Sequence, residues 1–216
     1  MVTLYGYWRS SSSYRVRIGL HLKGVAFEQR PVHLLKDGGE HKTESFRALN
    51  PMAQVPVLAV TSEGGEVEHL VQSVAILEYL EEAYPTPQLL PTSALERARV
   101  RAAVEIVNSG IQPLQNLSVL GEVKRLGGDA TDFARRANEH GLHALERLAN
   151  TMNKPYLAGD AITLADVFLV PQLYSARRFG VDLEKLPRLL EIEARLAAHQ
   201  AFAAAHPDQQ PDAQPA

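Results

Sequence analysis

The chain has 216 residues, of which 45 % are hydrophobic and 22 % are charged, an ordinary composition for one large or two modest globular domains. Its 22 Lys and Arg against 25 Asp and Glu give a formal net charge of −3, so the overall charge does not favour nucleic-acid binding. No apolar run approaches the roughly 20 residues that span a bilayer, and the first ten residues lack the layout of a signal peptide. We therefore expect a cytoplasmic protein with neither a membrane nor a nucleic-acid partner.

The sequence contains no cysteine. This excludes disulfides, cysteine-ligated zinc, iron–sulfur clusters and a cysteine nucleophile. His140 and His143 are spaced so that both can touch one metal ion, but no matching carboxylates accompany them, and we expect no metal. The G-x-G-x-x-G, Walker A and G-x-S-x-G motifs are also absent from the sequence. Any sulfur chemistry therefore requires a ligand that brings the sulfur.

Prolines at positions 85, 87 and 91 mark the clearest internal break, because each removes a backbone N–H donor and favours extended chain. We predict a first domain over residues 1–84, a linker over 85–92 and a second domain over 93–205. Residues 206–216 are rich in Pro, Gln and Asp and predict a disordered tail.

The first region alternates strands and helices. Short β-branched and aromatic runs predict strands at residues 2–7, 27–32, 57–60 and 67–70, with a Glu-Gly-Gly hairpin turn between the last two. Helices are predicted from the serines at 10–13 to Lys23, where Gly24 ends the helix, from 41 to 49, and from a Ser73 cap to Ala83. This order is typical of an α/β thioredoxin-like sheet covered by helices.

The second region has no convincing strand. A long helix is predicted over residues 94–120, bent by Gly110 and Pro113, and another over 130–150. Thr163 and Asp166 have the spacing of a capping box, in which each side chain can take the other residue's amide hydrogen. We therefore expect an all-α second domain.

The segment Trp8–Arg17, W-R-S-S-S-S-Y-R-V-R, places four serines where a strand turns into a helix. Hydroxyls and unpaired amides then converge at the positive end of the helix, which stabilises an anion, a thiolate included. The same serines are equally typical of ordinary turns and helix caps.

Two further segments carry candidate binding groups. Val55-Pro56 directly precedes a strand, which suits a cis-proline that leaves the Val55 backbone free to pair with an extended peptide ligand; a trans edge-strand proline is the alternative. Gln72-Ser73 begins a helix, where Ser73 is either a simple cap or, with its amide and hydroxyl, a holder of a ligand carboxylate.

The segment Y-W-R-S-S-S-S-Y-R-V-R-I-G-L-H-L-K-G resembles the signature of zeta-class glutathione transferases, written around S-S-C-x-W/H-R-V-R-I-A-L. Further matching segments, in chain order, are A-L-N-P-M-A-Q-V-P, Q-S-V-A-I-L-E-Y-L-E-E, G-I-Q-P-L-Q-N-L and G-D-A-I-T-L-A-D-V-F-L-V-P-Q. The resemblance covers nearly the whole chain. It implies the glutathione transferase fold, a thioredoxin-like domain that binds glutathione, an all-helical domain that completes the substrate pocket, and a homodimer.

The resemblance also assigns roles by motif. Ser10 matches the serine that activates the glutathione sulfur, with Ser11 as its neighbour. The Val55 backbone is expected to pair with the cysteinyl unit of glutathione, and Gln72 with Ser73 to hold its γ-glutamyl carboxylate. The other expected glutathione-binding residues are Ser12, Ser13, Tyr14, Arg15, His41, Gln112, Asn116 and Ser118, where His41 stands at a position that is often Gln in relatives.

The family includes maleylacetoacetate isomerases, so the resemblance implies glutathione-dependent isomerisation of maleylacetoacetate to fumarylacetoacetate in tyrosine and phenylalanine breakdown, by reversible thiolate addition. Arg9, beside the serines, and Arg178, which matches a pocket arginine, are the candidate catalytic residues that hold the small anionic substrate and its enolate. The alternatives are a maleylpyruvate isomerase, a transferase acting on α-halo acids, and a non-catalytic scaffold, against which the intact Ser10, Ser11, Gln72 and Ser73 argue.

One residue departs from the family signature. Ser12 stands where the S-S-C motif has cysteine. Glutathione supplies the reacting thiol and a serine hydroxyl can still donate a hydrogen bond, so we expect Ser12 to modulate the reaction rather than abolish it. The same replacement removes a thiol that reactive substrates could alkylate.

Overall fold

The computed structural model describes residues 1–62 and 64–214; Glu63 of the predicted hairpin turn and residues 215 and 216 of the predicted tail lie outside the described residues. The chain divides into two compact units. The first comprises Met1–Pro87 together with the chain from His199 onward, and the second is Gln88–Ala198.

The first unit is thioredoxin-like. It contains β1 (Val2–Gly6), α1 (Ser11–Leu22), β2 (Glu28–Pro31), 3-10 turns at Lys36–Gly38 and Glu40–Lys42, α2 (Glu44–Arg47), β3 (Val57–Thr61), β4 (Val67–Val71) and α3 (Ser73–Ala83). The sheet order is β2-β1-β3-β4, with β1 and β2 parallel and the other pairs antiparallel. The predicted fold class is confirmed, although the expected helix over 41–49 is reduced to one short turn and α2.

The register of the sheet brings three chain segments to one edge. Tyr5, near the carboxyl end of β1, pairs with Val57 at the start of β3, and Val57 pairs with Val71 at the end of β4. The loop after β1, the segment before β3 and the start of α3 therefore all lie at the same end of the sheet.

Helices α1 and α3 pack closely in this unit. A Cβ placed on Gly19 would lie 2.3 Å from Cδ2 of Leu77, so a larger residue would require the Leu77 side chain to move. Lys23 Nζ lies 2.6 Å from the Glu81 carboxylate in a buried ion pair that joins the two helices. This contact and this ion pair join the C-terminal half of α1 to the middle and the C-terminal turns of α3.

The second unit is helical in its described residues. It contains α4 (Ala94–Asn108), a 3-10 turn at Gln112–Gln115, α5 (Leu117–Arg125), α6 (Ala130–Met152), α7 (Leu164–Arg178), a 3-10 turn at Leu183–Lys185 and α8 (Pro187–Ala197). The predicted single bent helix over 94–120 is wrong, because the chain leaves the helix after Asn108 and α5 starts anew. Pro113 explains the break, since it has no N–H and its ring clashes with the preceding turn.

The predicted capping box at the start of α7 is confirmed. The Asp166 carboxylate accepts hydrogen bonds from the Thr163 amide at 2.8 Å and from the Leu157 amide at 2.9 Å. Burial raises the pKa of Asp166 to about 6 in spite of these bonds, which act in the opposite direction. The Asp166 carboxylate thus connects the loop before α7 to the helix, although its burial disfavours the ionised form.

The chain from His199 onward belongs to the first unit. The sequence instead predicted that the helical second domain continues to residue 205 and that residues 206–216 form a disordered tail. The segment forms α9 (Gln200–Ala205), which packs on α1, and a 3-10 turn at Pro207–Gln209. Gln210 is buried and donates from Nε2 to the carbonyls of Ala204 and His206. The composition of the segment gave the wrong prediction, because a few specific hydrogen bonds order it without an apolar face.

None of the helices in the described residues is both long and apolar enough to cross a membrane.

Candidate functional site

The end of the sheet described above gathers the predicted site residues of the first unit. The backbone there is unusual, since Asp37, Ala53 and Gln72 are non-glycine residues with positive φ, at 52°, 53° and 69°. Such conformations are uncommon and concentrate at ligand-binding sites. The segments that carry Val55 and Gln72 therefore have backbone conformations that are typical of a binding site.

Ser10 is the N-cap of α1. Its hydroxyl oxygen accepts the Ser13 amide at 3.2 Å, and its carbonyl accepts the Tyr14 amide at 2.9 Å. The Ser10 hydroxyl hydrogen remains able to donate, because the cap uses only the oxygen. Ser11 and Ser12 lie in the first turn of α1, where backbone amides have no acceptor within the helix and no acidic side chain offsets the positive helix end.

Residues 7–13, here called the serine loop, are held in place by contacts with buried side chains. Buried Ser13 accepts the Tyr7 amide on Oγ at 3.4 Å, and a Cβ on Gly6 would lie 3.1 Å from that oxygen. Tyr14 is buried within the first unit, where its ring contacts the His206 ring and the Arg17 guanidinium. Ser13 and Tyr14 therefore support the loop from the core, and Ser11 is buried as well, whereas Ser10 and Ser12 are half-buried.

A second donor cluster lies at the start of α3. Gln72, at φ 69° and ψ 119°, is the N-cap, so the prediction that Ser73 caps this helix is wrong by one residue. Ser73 is buried and its Oγ accepts a hydrogen bond from Nη1 of Arg15 at 3.3 Å. Arg15 is fully buried and places a positive charge behind the Ser73 hydroxyl, which strengthens this helix end as an anion site.

Val55 and Pro56 lie between these clusters. The Val55–Pro56 peptide bond is cis, as the sequence suggested. Asn50, which the sequence reasoning did not select, holds the loop: its Nδ2 donates to the Gln54 carbonyl at 2.7 Å and its Oδ1 accepts the Met52 amide at 3.0 Å. The Asn-Pro pair, a frequent turn signal, is the feature that could have identified Asn50.

His41 lies in the 3-10 turn Glu40–Lys42, which follows β2. Desolvation lowers its pKa, and the nearby charges of Lys42 and Arg47 lower it further, so the neutral imidazole is favoured. Arg9 follows Trp8 in the serine loop and has its guanidinium 5.3 Å from the centroid of the Trp8 indole.

The other predicted residues lie in the second unit. Gln112 begins the 3-10 turn and Asn116 is the N-cap of α5, where its Oδ1 accepts the Ser118 amide at 3.1 Å and the Ser118 hydroxyl at 3.0 Å. Arg178 ends α7, exposed, with its guanidinium 5.9 Å from the Phe179 ring centroid. Its neighbour Arg177 instead pairs with Glu193, Nη1 to Oε1 at 2.6 Å.

Comparison with known proteins agrees with this architecture. A family model for the N-terminal domain of glutathione S-transferase matches residues 4–88, and one for the C-terminal domain of glutathione S-transferase matches residues 129–198. The chain belongs to the glutathione S-transferase family.

Its relatives point to one branch of that family. Maleylacetoacetate isomerase of Pseudomonas aeruginosa is 47 % identical over 212 residues, covering 97 % of this chain and 97 % of the relative. A crystal structure of maleylacetoacetate isomerase from Anaeromyxobacter dehalogenans, with bound dicarboxyethyl glutathione and citrate in the active site, is 51 % identical with a TM-score of 0.89, covering 100 % of this chain and 94 % of that chain. A holo structure of maleylpyruvate isomerase, a bacterial glutathione S-transferase in the zeta class, is 43 % identical with a TM-score of 0.91, covering 98 % and 100 %.

Proposed function

We propose that the protein is a glutathione-dependent isomerase that converts maleylacetoacetate to fumarylacetoacetate. The observation that carries the proposal is the pair of anion-stabilising helix ends at one edge of the sheet, one lined by Ser10 and the other by Ser73 with Arg15 behind it. Glutathione has two groups that such ends would suit, a thiolate and an α-carboxylate. A structural relative with 51 % identity holds a glutathione derivative.

The first helix end suits a thiolate. The Ser10 hydroxyl and the amides of Ser11 and Ser12 can all donate to a sulfur anion at the start of α1. Each unit by which they lower the thiol pKa corresponds to about 1.4 kcal/mol of preferential binding of the thiolate. Ser12 adds a third hydroxyl where the family signature has a thiol.

The second helix end suits a carboxylate. Ser73 can donate its hydroxyl hydrogen and its amide, because its oxygen is the acceptor for Arg15. Gln72, exposed at the N-cap, can contact the same group. The Val55 backbone can pair with the central peptide of the ligand as an added strand does, in a loop that Asn50 holds in shape.

Bound glutathione would supply the thiolate whose reversible addition makes the conjugated double bond temporarily single. The chain's task in the reaction is then to hold the anionic substrate and to stabilise the negative charge that develops on it. We assign this task to Arg9 and Arg178. Gln112, Asn116 and Ser118 are proposed as further contacts to glutathione.

Maleylpyruvate is the second candidate substrate, favoured by the zeta-class maleylpyruvate isomerase that is 43 % identical to this chain. Turnover of α-halo acids by the same thiolate is proposed as a side activity. A cytoplasmic location, a homodimeric state and a role in tyrosine and phenylalanine catabolism belong to the same proposal. The requirement for reduced glutathione supports the cytoplasmic location, since the cytosol holds this thiol in its reduced form.

The proposal is tested by following each cis acid spectroscopically with purified protein. We expect conversion of maleylacetoacetate with glutathione, and none without it or with S-methylglutathione, which has no free thiol. Preferential turnover of maleylpyruvate would instead support the second candidate. Conversion of either acid without any thiol would contradict the proposed chemistry.

A further inference from the structure

The C-terminal segment, residues 206–214, reaches the serine loop. The Asp212 carboxylate accepts the backbone N–H of Trp8 on Oδ2 at 2.9 Å and a hydrogen bond from Gln29 Nε2 on Oδ1 at 3.3 Å. Trp8 is buried and lies two residues before Ser10. A side chain 204 positions later in the sequence thus holds the loop that carries the proposed thiol-activating group.

The second polar backbone group of Trp8, its carbonyl, is linked through Arg17 to the C-terminal chain. Its carbonyl accepts Nη2 of Arg17 at 2.9 Å, and Nε of Arg17 donates to the Ala205 carbonyl at 3.0 Å. Gln210, buried, fixes the segment through its bonds to the Ala204 and His206 carbonyls. Both polar backbone groups of Trp8 are therefore connected to the chain after residue 204.

The position of Ser10 depends on this arrangement. The Ser10 amide donates to the Tyr7 carbonyl at 3.0 Å, so the turn Tyr7–Ser10 is closed at one side and held at Trp8 on the other. We propose that Asp212 is a positioning residue: it fixes the Trp8 amide, and through the turn it sets where the Ser10 hydroxyl meets the glutathione sulfur. This inference rests on the proposed function for the identity of the sulfur ligand.

The test compares Asp212→Ala, Asp212→Asn and the control Asp208→Ala. Asparagine keeps an oxygen that can accept the Trp8 amide, and the Gln29 amide can turn to present its own oxygen. Asp208 is exposed in the same segment, and its Oδ2 lies 3.6 Å from Nδ1 of His206. The readouts are hydrogen exchange of the Trp8 amide, the thiol pKa of bound glutathione from its ultraviolet absorbance, and the isomerase kcat.

In Asp212→Ala we expect faster Trp8 exchange, a thiol pKa about one unit higher and kcat about tenfold lower, since small misplacements of a catalytic group reduce rates strongly. Asp212→Asn and Asp208→Ala should stay within about twofold of the wild type in kcat. Equal losses in the alanine and asparagine variants, or faster exchange with an unchanged thiol pKa, would overturn the positioning role. A wild type that binds glutathione but isomerises neither acid would refute the proposed function, while exchange and thiol pKa would still decide the role of Asp212.

Discussion

Arg15 Nη1 lies 3.3 Å from the Ser73 hydroxyl oxygen, joining two residues 58 positions apart in the sequence. The contact brings a fully buried guanidinium from α1 directly behind the first residue of α3. Because Arg15 donates to a lone pair of the Ser73 oxygen, the hydroxyl hydrogen can still donate to a ligand. This relation is the structural basis for assigning a carboxylate to the α3 end.

Replacing Ser73 with alanine should therefore weaken glutathione binding. A hydrogen bond to a charged group contributes about 1.5–3 kcal/mol, so we expect the Kd for glutathione to rise roughly tenfold or more. The carboxylate is remote from the sulfur, so kcat at saturating glutathione should change little. Calorimetry and steady-state kinetics measure the two effects.

Ser93→Ala is the matched control, since Ser93 is the exposed N-cap of α4 and its side chain makes no capping hydrogen bond. It should leave the Kd for glutathione unchanged. If Ser73→Ala lowers the melting temperature but not the affinity, Ser73 is a structural residue only.

Arg178→Ala should raise the KM for maleylacetoacetate far more than the KM for glutathione. The physical reason is the loss of a positive charge for a substrate carboxylate, in the proposed role of this side chain. Arg177→Ala is the neighbouring control, because Arg177 is paired with Glu193 on the surface. Equal increases in both KM values for Arg178→Ala would indicate a folding defect rather than lost substrate binding.

Ser12→Cys should make the enzyme sensitive to alkylation. The wild type has no cysteine, so thiol reagents and α-halo acids have no side-chain thiol to modify. A cysteine at this position would lie in the first turn of α1, where the helix end lowers a thiol pKa and raises its reactivity. Activity remaining after incubation with iodoacetamide is the measurement.

The control for that experiment is Ser62→Cys, which places a thiol on an exposed residue after β3. Its alkylation should not reduce activity. If Ser12→Cys keeps full activity after mass spectrometry confirms complete alkylation, the side chain at position 12 does not face the reacting sulfur.

The pH dependence of stability offers a test of the buried capping box. The pKa of Asp166 is about 6 in the folded chain, above its unfolded value near 3.8, so the folded state binds an extra proton between these values. This contribution is present below pH about 4 and is lost as the pH rises through about 6. The stability of the wild type relative to Asp166→Asn should thus fall by roughly 3 kcal/mol between pH 4 and pH 7.

Urea unfolding of both proteins at the two pH values measures that difference. Asp160→Asn removes an exposed carboxyl from the same loop and is the matched control. A difference between the wild type and Asp166→Asn that does not vary with pH would show that Asp166 is ionised throughout this range.

Local patterns predicted most of the fold. The β-branched runs at β3 and β4, Gly24 after α1 and the box at Thr163 and Asp166 each depend on neighbours within a few residues, where sequence rules apply. The prediction for residues 94–120 was wrong because Gly110 and Pro113 were interpreted as bends in one helix, whereas α4 ends at Asn108, five residues before Pro113.

The sequence located the two helix starts that carry Ser10 and Ser73, but it did not identify every residue that supports them. Ser10 and Ser73 stand at positions that sequence marks as helix starts. Asn50 and Asp212 were not selected, because their contacts are set by tertiary structure or by a loop with no regular period. The ordered segment near Asp212 was mistaken for a tail because composition does not reveal individual hydrogen bonds.

In the proposed function, the N-terminus of α1 activates a glutathione thiol for isomerisation through Ser10. The most direct measurement is the rate of maleylacetoacetate isomerisation with and without glutathione for the wild type, Ser10→Ala and Ser10→Gly, the last of which nearly preserves the helix cap. We predict strict glutathione dependence and a loss of at least about tenfold in both variants. Full activity of both variants with glutathione present would contradict the assignment of Ser10 and transfer the role to Ser11 or to the helix amides.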